Sequence, residues 1–550
     1  MSSPKESDLS IPSSLKIPEV SLIELFRKKA KENEDKNALF FKGKFKTYGE
    51  LEEEINKLGN AFKKMGIKKG DRIAVLMPNC PQLVTAFFAA QSIGAIFSAL
   101  NPMYSPREIA NRLKDSKPKI LLTLDLFTKK IKTIQEEINV KNIIVASVSE
   151  ELPSLKKYLF KLISIHKNPK IDGTISYKNL LKKGKNKKIE RKINPKEDVA
   201  ILQYTGGTTG KPKGAMLTHH NLVSQAVTIQ FWKTMLKSLP KEQLKVAGVL
   251  PYSHIFGFTS SFLWPISEGA TIYLVPDPRK LEEIMRVIDK YGIHFLNAVP
   301  VFFRKFAQHK KLPNYDVSSL HLCIAGGESL PKETVDIFEK KTNCLLVEGY
   351  GLTEASPVTH INPPNEKYRK TGSIGLTIPN TKAKIVDTNT KETITEKDKP
   401  GELWVKGPGI MKGYWNNKEE TESSLKDGWL KTGDVAVVNK KGYFKIIDRL
   451  KDMIIVSGFK VWPNEVEEIL LSHPLISEAA VIPHFTDMGT KIKAVLVKSK
   501  KGKELNLKEV RKYCKKFLAP YKVPKLIEYW DELPRSSVGK ILRRKIRNAT

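Results

Sequence analysis

Eleven residues, Tyr204-Thr-Gly-Gly-Thr-Thr-Gly-Lys-Pro-Lys-Gly214, hold four glycines, three threonines and two lysines. Glycines let a backbone approach an anion without Cβ clashes. Backbone N–H groups that converge at a turn are ready donors to phosphate oxygens. Thr205, Thr208 and Thr209 add hydroxyls, and Lys211 and Lys213 add positive charge. The chemistry these types support is the holding of a phosphorylated ligand. The loop is not the common P-loop, which has four residues between Gly and Gly-Lys and then Ser or Thr. Here Gly206 and Gly210 stand too close, and Pro212 follows Lys211. Taken alone, the same residues also describe a flexible surface turn.

Further polar stretches follow in order: Ala325-Gly-Gly-Glu-Ser-Leu-Pro331, Glu348-Gly-Tyr-Gly-Leu-Thr-Glu-Ala-Ser-Pro357, Trp429-Leu-Lys-Thr-Gly-Asp434, Asp448-Arg449 and Pro534-Arg-Ser-Ser-Val-Gly-Lys-Ile-Leu-Arg-Arg544. Singly, each has an ordinary reading. An isolated Glu354 is a surface carboxylate, an isolated Tyr350 a core aromatic, and Asp434 a turn residue after Gly433. Their ordered co-occurrence with the glycine loop is the informative feature.

The elements that must position these residues read as alternating strands and helices. Val199–Gln203 is a short buried strand before the loop, and Thr218 caps a helix running to about Trp232, so the loop is expected to join a strand to a helix. Arg72–Met77 and Lys119–Thr123 are strand-like, with a helical segment at Gln82–Ile93 between them. That alternation predicts an α/β fold with parallel-rich sheets flanked by helices. After residue 380 short β-rich runs dominate (Gly401–Val405, Asp434–Val438, Tyr443–Ile447), ending in the charged break Asp448–Asp452. A helix at Pro463–Ser472, strands at Ala479–Pro483 and Ile492–Val497, and a helix at Leu507–Phe517 make a small α+β C-terminal domain. The expected organisation is a loosely ordered segment 1–20, a large domain 21–447, a hinge 448–452 and a small domain 453–550.

The chain has 550 residues and 40% hydrophobic content, enough for more than one domain. Its four cysteines are widely separated with no Cys-x-x-Cys pair, which suits a reducing interior. The first residues lack the apolar core of a secretory signal, and no run approaches the roughly 18 apolar residues of a membrane span. A cytoplasmic protein is expected. The net charge of +35 comes from 94 basic and 59 acidic residues spread over most of the chain. Without a nucleic-acid-binding module, this reads as a lysine-rich composition that also attracts anionic substrates, and no specific nucleic-acid partner is expected. Leu152–Ile163 places Leu155, Leu159 and Leu162 on one face, with Lys156, Lys157 and Lys161 elsewhere. A helix packed on its own domain is favoured over one lying in a membrane interface, and peripheral contact with the inner membrane face stays open.

Together the glycine loop and the later stretches resemble the adenylate-forming enzymes, and among them the acyl-CoA synthetases, from about residue 20 to 545. The resemblance implies two half-reactions. A carboxylate attacks the α-phosphate of Mg-ATP to give acyl-adenylate and pyrophosphate, and coenzyme A then displaces AMP to give a thioester. It also implies roles for individual residues. Thr205, Gly206, Gly207, Thr208, Thr209, Gly210 and Lys211 would cradle the β/γ-phosphates, while Glu354 and Thr205 would serve Mg²⁺. Gly326, Gly327 and Glu328 would line the base pocket. Within Glu348, Gly349, Tyr350 and Gly351, the tyrosine would stack on adenine, and Thr353 would reach the α-phosphate. Asp434 would take the ribose hydroxyls, with Arg449 nearby. Lys540 would contact the acyl carboxylate and α-phosphate during adenylation. Lys451 would be the hinge about which the small domain rotates, bringing Ser457, Gly458, Phe459 and Lys460 to coenzyme A. His254 and Phe258, in Leu250-Pro-Tyr-Ser-His-Ile-Phe-Gly-Phe258, would line the acyl pocket, with Phe258 where long-chain enzymes carry an aromatic gate. The match is nearest to bacterial-type medium- and long-chain fatty acyl-CoA ligases. Short-chain, hydroxy and aryl acids such as coumarate remain open as substrates. A noncatalytic nucleotide- or lipid-binding relative would be expected to lose Lys540 or Glu354, and both are present. A monomer or homodimer is expected.

Overall fold

A computed structural model of the chain describes residues 11–154, 171–205, 212–236, 240–456, 459–486, 489–499, 502–536 and 539–549. The chain packs as two compact units, Met1–Lys382 with Lys406–Leu430, and Ala383–Val405 with Lys431–Thr550.

The first unit contains two parallel-rich sheets. In one, Arg72–Leu76 lies between Ile96–Leu100 and Ile120–Leu124, and Asn142–Ala146 continues the parallel set. Parallel strands need long crossovers, and the helices Pro81–Ser92 and Pro106–Ser116 supply two of them. Ile120–Leu124 is buried throughout, which is why it reads as an unbroken apolar run and not as an alternating one. Pro81–Ser92 is also buried on every side, with its proline at the first turn where a missing N–H costs nothing. Helix Pro106–Ser116 begins in a capping box between Ser105 and Glu108.

Val199–Thr205 joins this sheet parallel to Ile96–Leu100. Lys213–Thr218 then turns back antiparallel against it, with Thr205 opposite Lys213. The glycine loop is therefore the tip of a hairpin, which corrects the expected strand-to-helix junction. Pro212 blocks a helix at that point, and the six residues after it satisfy their backbone groups in a second strand before the helix begins. Thr218 does cap the helix His219–Thr234, in a reciprocal box with Asn221. Residues 206–211 lie outside the described residues.

The second sheet has nine strands, with Lys245–Gly248, Thr271–Leu274, Phe295–Ala298, Leu322–Gly326 and Leu345–Gly351 parallel at its centre. Phe303, Phe306 and Phe338 pack with Leu296 and Leu346 beneath it. Gly326 and Gly349 are register partners, so the stretches that follow them leave the carboxyl ends of adjacent strands. Ligands of open α/β sheets bind at that edge.

Of the segment 1–20, residues 1–10 lie outside the described residues, and Leu15 is bonded to Asn380. Asn380 donates its amide to the Leu15 carbonyl at 3.0 Å and accepts the Leu15 N–H at 2.8 Å. Of the basic segment Leu152–Ile163, residues from 155 onward lie outside the described residues. Among the described residues no helix is long and apolar enough to cross a membrane. All four cysteines are buried and free.

In the second unit, Trp429–Val438 pairs antiparallel with Phe444–Arg449. Beyond it, Ile476–Thr486 and Gly489–Lys498 pair antiparallel, and Leu526–Tyr529 lies parallel to the latter. Strand alternation gives this small sheet two cores. Ala479, Val481, Ala494 and Leu496 face helices Pro463–Leu471 and Leu507–Cys514, while Ala480, Ile482 and Val495 meet Ile546 of helix Arg543–Ala549. The strands run longer than expected and the second helix is shorter.

The charged break differs most from its sequence reading. Asp448 is fully buried and accepts the Asn464 N–H, at the start of helix Pro463–Leu471, at 2.7 Å. Burial pushes its carboxyl up to about 6. Nearby, Arg543 donates to both oxygens of Glu467 at 3.1 and 2.6 Å and to Asn464 Oδ1 at 2.6 Å. Arg543 and Glu467 have side chains only 15% and 10% exposed, so neither is solvated enough to lose its partner cheaply. Removing one member of a buried pair typically costs about 3–5 kcal/mol. Arg543→Leu is therefore expected to lower the denaturant midpoint by that order, and Arg543→Lys by less. An Arg543→Leu loss under about 1 kcal/mol would show the cluster to be solvated.

Candidate active site

In the first unit, candidate residues gather around the hairpin. Thr205 Oγ1 donates to the Lys213 carbonyl at 3.5 Å across the base of the loop. Tyr204 is held beneath it by a 2.5 Å hydrogen bond from its hydroxyl to Asp115. Gly214 lies close to that ring, and a Cβ there would come within 3.2 Å of it. Lys213 forms an ion pair with Glu420 and lies 5.6 Å from the Tyr414 ring centroid. Its charge is thus already partnered, where the sequence showed only an added positive charge.

At the carboxyl edge of the second sheet, Gly327 has φ +90°, which lets the chain turn immediately after the strand. A Cβ on Gly326 would meet the Phe256 ring at 3.1 Å, so the glycine admits that aromatic. Glu328 follows, half-buried. Glu348 is buried, accepts the Leu330 N–H with its carboxylate and is pushed up to about 8 by desolvation. It thereby holds the 326–330 turn against the neighbouring strand. Gly351 has no room for a side chain, since a Cβ would fall 1.9 Å from the Pro357 carbonyl oxygen. The Tyr350 ring lies 5.9 Å from that of His360. Thr353 opens a 3₁₀ turn that also carries Glu354. The Glu354 carboxylate accepts the Tyr414 hydroxyl at 2.7 Å, and its backbone carbonyl accepts the Met411 N–H at 2.8 Å.

His254 caps the short helix Ile255–Phe258, its Nδ1 accepting the Phe256 N–H at 3.3 Å. Phe258 is fully buried and packs edge-on against Phe87 at 5.0 Å and Phe262 at 5.2 Å. A π-helical turn, Thr259–Leu263, follows it, a form found frequently at functional sites. Thr259 ties that turn to the Ser356 carbonyl at 3.0 Å.

The second unit brings Asp434 and Arg449 together as register partners, Nε to Oδ1 at 3.1 Å. Asp434 is 5% exposed, and Gly433 before it turns at φ +70°. Lys451 lies on the 3₁₀ turn Leu450–Asp452. Lys540 sits on a tight turn closed by Ser536 N–H to its carbonyl at 2.7 Å, with Gly539 at φ +88°. Arg535 braces the turn, donating to Gly539 O at 2.7 Å and to Glu478 at 3.0 Å. Phe459 and Lys460 belong to the strand Phe459–Val461, paired with Ile454–Val456. Ser457 and Gly458 lie outside the described residues, as do Gly206, Gly207, Thr208, Thr209, Gly210 and Lys211. Among the described residues no group of three or more His, Cys, Asp or Glu side chains could hold a metal.

Sequence reasoning missed Tyr414 and Glu420. The available signal was Gly413-Tyr-Trp415, a glycine–aromatic run beyond Gly407-Pro-Gly409.

A family pattern described as AMP-binding enzyme matches residues 26–415, and one described as AMP-binding enzyme C-terminal domain matches residues 465–540. The chain belongs to the AMP-binding enzymes. Its full-length sequence relatives include acid–thiol ligases of that family. It is 39% identical over 544 residues to a long-chain-fatty-acid–CoA ligase of Bacillus subtilis (strain 168), covering 98% of this chain and 96% of that one. It is 36% identical to a protein of the same name from Escherichia coli O157:H7, covering 96% and 94%. A 4-coumarate–CoA ligase of Solanum tuberosum is 33% identical, covering 91% and 88%. Among solved structures, an anthranilate CoA ligase in complex with anthranoyl-AMP superposes with a TM-score of 0.84 at 25% identity, covering 99% of both chains.

Glu348 provides a test of the site's electrostatics. Its carboxyl is raised above the ordinary 4.5, so the folded chain holds the proton more tightly than the unfolded one. Its contribution to stability is complete below about pH 4.5 and is lost as the pH rises toward about 8. Glu348→Gln keeps an acceptor for Leu330 N–H without a charge. Relative to wild type, the variant is expected to melt progressively higher as the pH is raised from 5 to 8.5. A melting difference independent of pH would show that Glu348 does not titrate in this way.

Proposed function

We propose that this chain couples a long-chain fatty acid to coenzyme A, first forming acyl-AMP and pyrophosphate from ATP and then the thioester. The observation that carries the reading is that the two family patterns together include Glu354 and Lys540, at positions 39% identical overall to a ligase named for that substrate.

The chemistry assigns work to the residues described. The carboxylate substrate is already ionised near neutral pH, so His254 is proposed as a pocket-lining residue and not as a base. Repulsion between that anion and the triphosphate is the barrier to be offset, and positioned cations and donors do so most effectively. Mg²⁺ takes oxygen ligands and usually retains substrate phosphates among them. The Glu354 carboxylate and the Thr205 hydroxyl are donors of that kind, and Mg²⁺ there would neutralise phosphate charge. The loop from Thr205 to Lys211 is assigned the β/γ-phosphates and Thr353 the α-phosphate. Gly326–Glu328 and Glu348–Gly351 are assigned the base, with Tyr350 stacking on it. Asp434, buried beside Arg449, is assigned the ribose hydroxyls. Phe258 is assigned a gating role for the acyl chain, and Ser457–Lys460 the coenzyme A arm.

Lys540 acts in adenylation, and rotation about Lys451, in a hinge at 448–452 between domains 21–447 and 453–550, then exchanges it for the coenzyme A residues. Few residues are needed for such a hinge. The reading carries with it a cytoplasmic location, with Leu152–Ile163 packed on its own domain in preference to a membrane interface, and a monomer or homodimer as the working form.

Pyrophosphate release across C2–C18 acids and aryl acids, with and without coenzyme A, tests the assignment. Release with long-chain acids is expected to exceed that with coumarate. No release with any acid would sink the proposal, and a preference for coumarate would redirect it. Lys540→Ala is expected to cut adenylate formation at least ~100-fold, as loss of a transition-state charge contact does. Thioester formation from supplied acyl-AMP should persist, and equal loss in both half-reactions would count against this role.

A further inference from the structure

We infer that Tyr414 is a positioning residue for the adenylation step, its hydroxyl aiming the Glu354 carboxylate while its strand and ring fix that carboxylate relative to the glycine-loop hairpin. The inference rests on the reading of Glu354 as the ion-binding carboxylate.

Glu354 is held twice by one short segment. Met411 N–H donates to its backbone carbonyl at 2.8 Å, and the Tyr414 hydroxyl donates to Oε1 at 2.7 Å. That segment is itself fastened to the hairpin arm. Gly413 and Tyr414 pair with Met216 and Ala215, and Trp415 N–H donates to the Gly214 carbonyl at 2.8 Å. The Tyr414 N–H is taken by Thr421 Oγ1 at 2.8 Å, on the helix Lys418–Ser424 that also supplies Glu420 to Lys213. Tyr414 is 7% exposed, so water does not readily substitute for its hydroxyl. One residue thus links the carboxylate, through a single O–H, to the strand that leaves the phosphate-binding loop.

A buried tyrosine that donates to a carboxylate can also be a plain structural contact, and metal dependence separates the two roles. Partners that orient a metal ligand typically change metal affinity by about 10–100-fold when removed. A purely structural contact changes stability and leaves metal affinity alone.

Tyr414→Phe removes the hydroxyl while keeping the ring near Lys213 and the strand pairing. The full-length variant is expected to need about 10-fold more Mg²⁺ for half-maximal pyrophosphate release. Mn²⁺ binding to the enzyme–ATP complex, followed by electron paramagnetic resonance without turnover, should weaken by the same factor. Thioester formation from supplied acyl-AMP should be unchanged. A lower melting temperature with an unmoved Mn²⁺ affinity overturns the proposal. Glu354→Gln provides the control. If it weakens Mn²⁺ binding and Tyr414→Phe does not, the positioning role fails and the reading of Glu354 stands. If neither does, the reading of Glu354 fails as well.

Discussion

Two anions must meet before this chemistry can begin, and in water they stay apart. In the proposed reading the first unit contributes side chains that are held in place before substrate arrives. Glu354 is clasped by Tyr414 and Met411, and Lys213 is committed to Glu420, so neither swings freely into solvent. Pre-orientation of this kind avoids reorganisation at the moment of reaction, which is where fixed groups outperform water. The second unit follows the same rule with Asp434, a buried acceptor kept beside the Arg449 guanidinium.

The hairpin shows why such positioning needs a particular fold. A glycine-rich loop has little intrinsic shape, and its geometry is set by what holds its ends. Here the two ends are register partners, Thr205 opposite Lys213, on an antiparallel pair at the flank of a parallel sheet. Tyr204 underneath is pinned to Asp115, and Gly214 packs close against its ring. The ends of the loop are thus fixed by a paired frame.

The sequence announced the frame better than the fastenings. Runs such as Ile120–Leu124 are buried on both faces, so their composition alone marks them as central strands. The Thr218 cap was legible because a cap is a local hydrogen-bond problem. Lys213–Thr218 was hidden because its partner strand, and not its own pattern, makes it β. The Tyr414–Glu354 contact joins residues 60 positions apart, which no local rule connects. Asp448 misled for a related reason. Charged residues in sequence suggest a solvated linker, but whether a carboxylate is buried depends on donors brought by the tertiary fold, here Asn464 N–H at the start of a helix. The ordered motifs escaped this limitation, since a reaction constrains residue types at sites far apart in the chain.

The burial of Asp448 also constrains how the proposed hinge can work. Asn464 N–H holds its carboxylate at 2.7 Å, and the Asn464 side-chain amide donates to the Ile447 carbonyl at 3.3 Å. A pivot at Lys451 lies between these partners in sequence, so any sizeable rotation there must part them. The arrangement described holds the Asp448 proton more tightly than water would, because burial raises its carboxyl to about 6. At neutral pH the buried carboxylate is ionised at a cost, offset by the Asn464 N–H and the nearby Arg543. In the proposed reading Lys451 would supply the point of turning, and the Asp448–Asn464 contact would resist it.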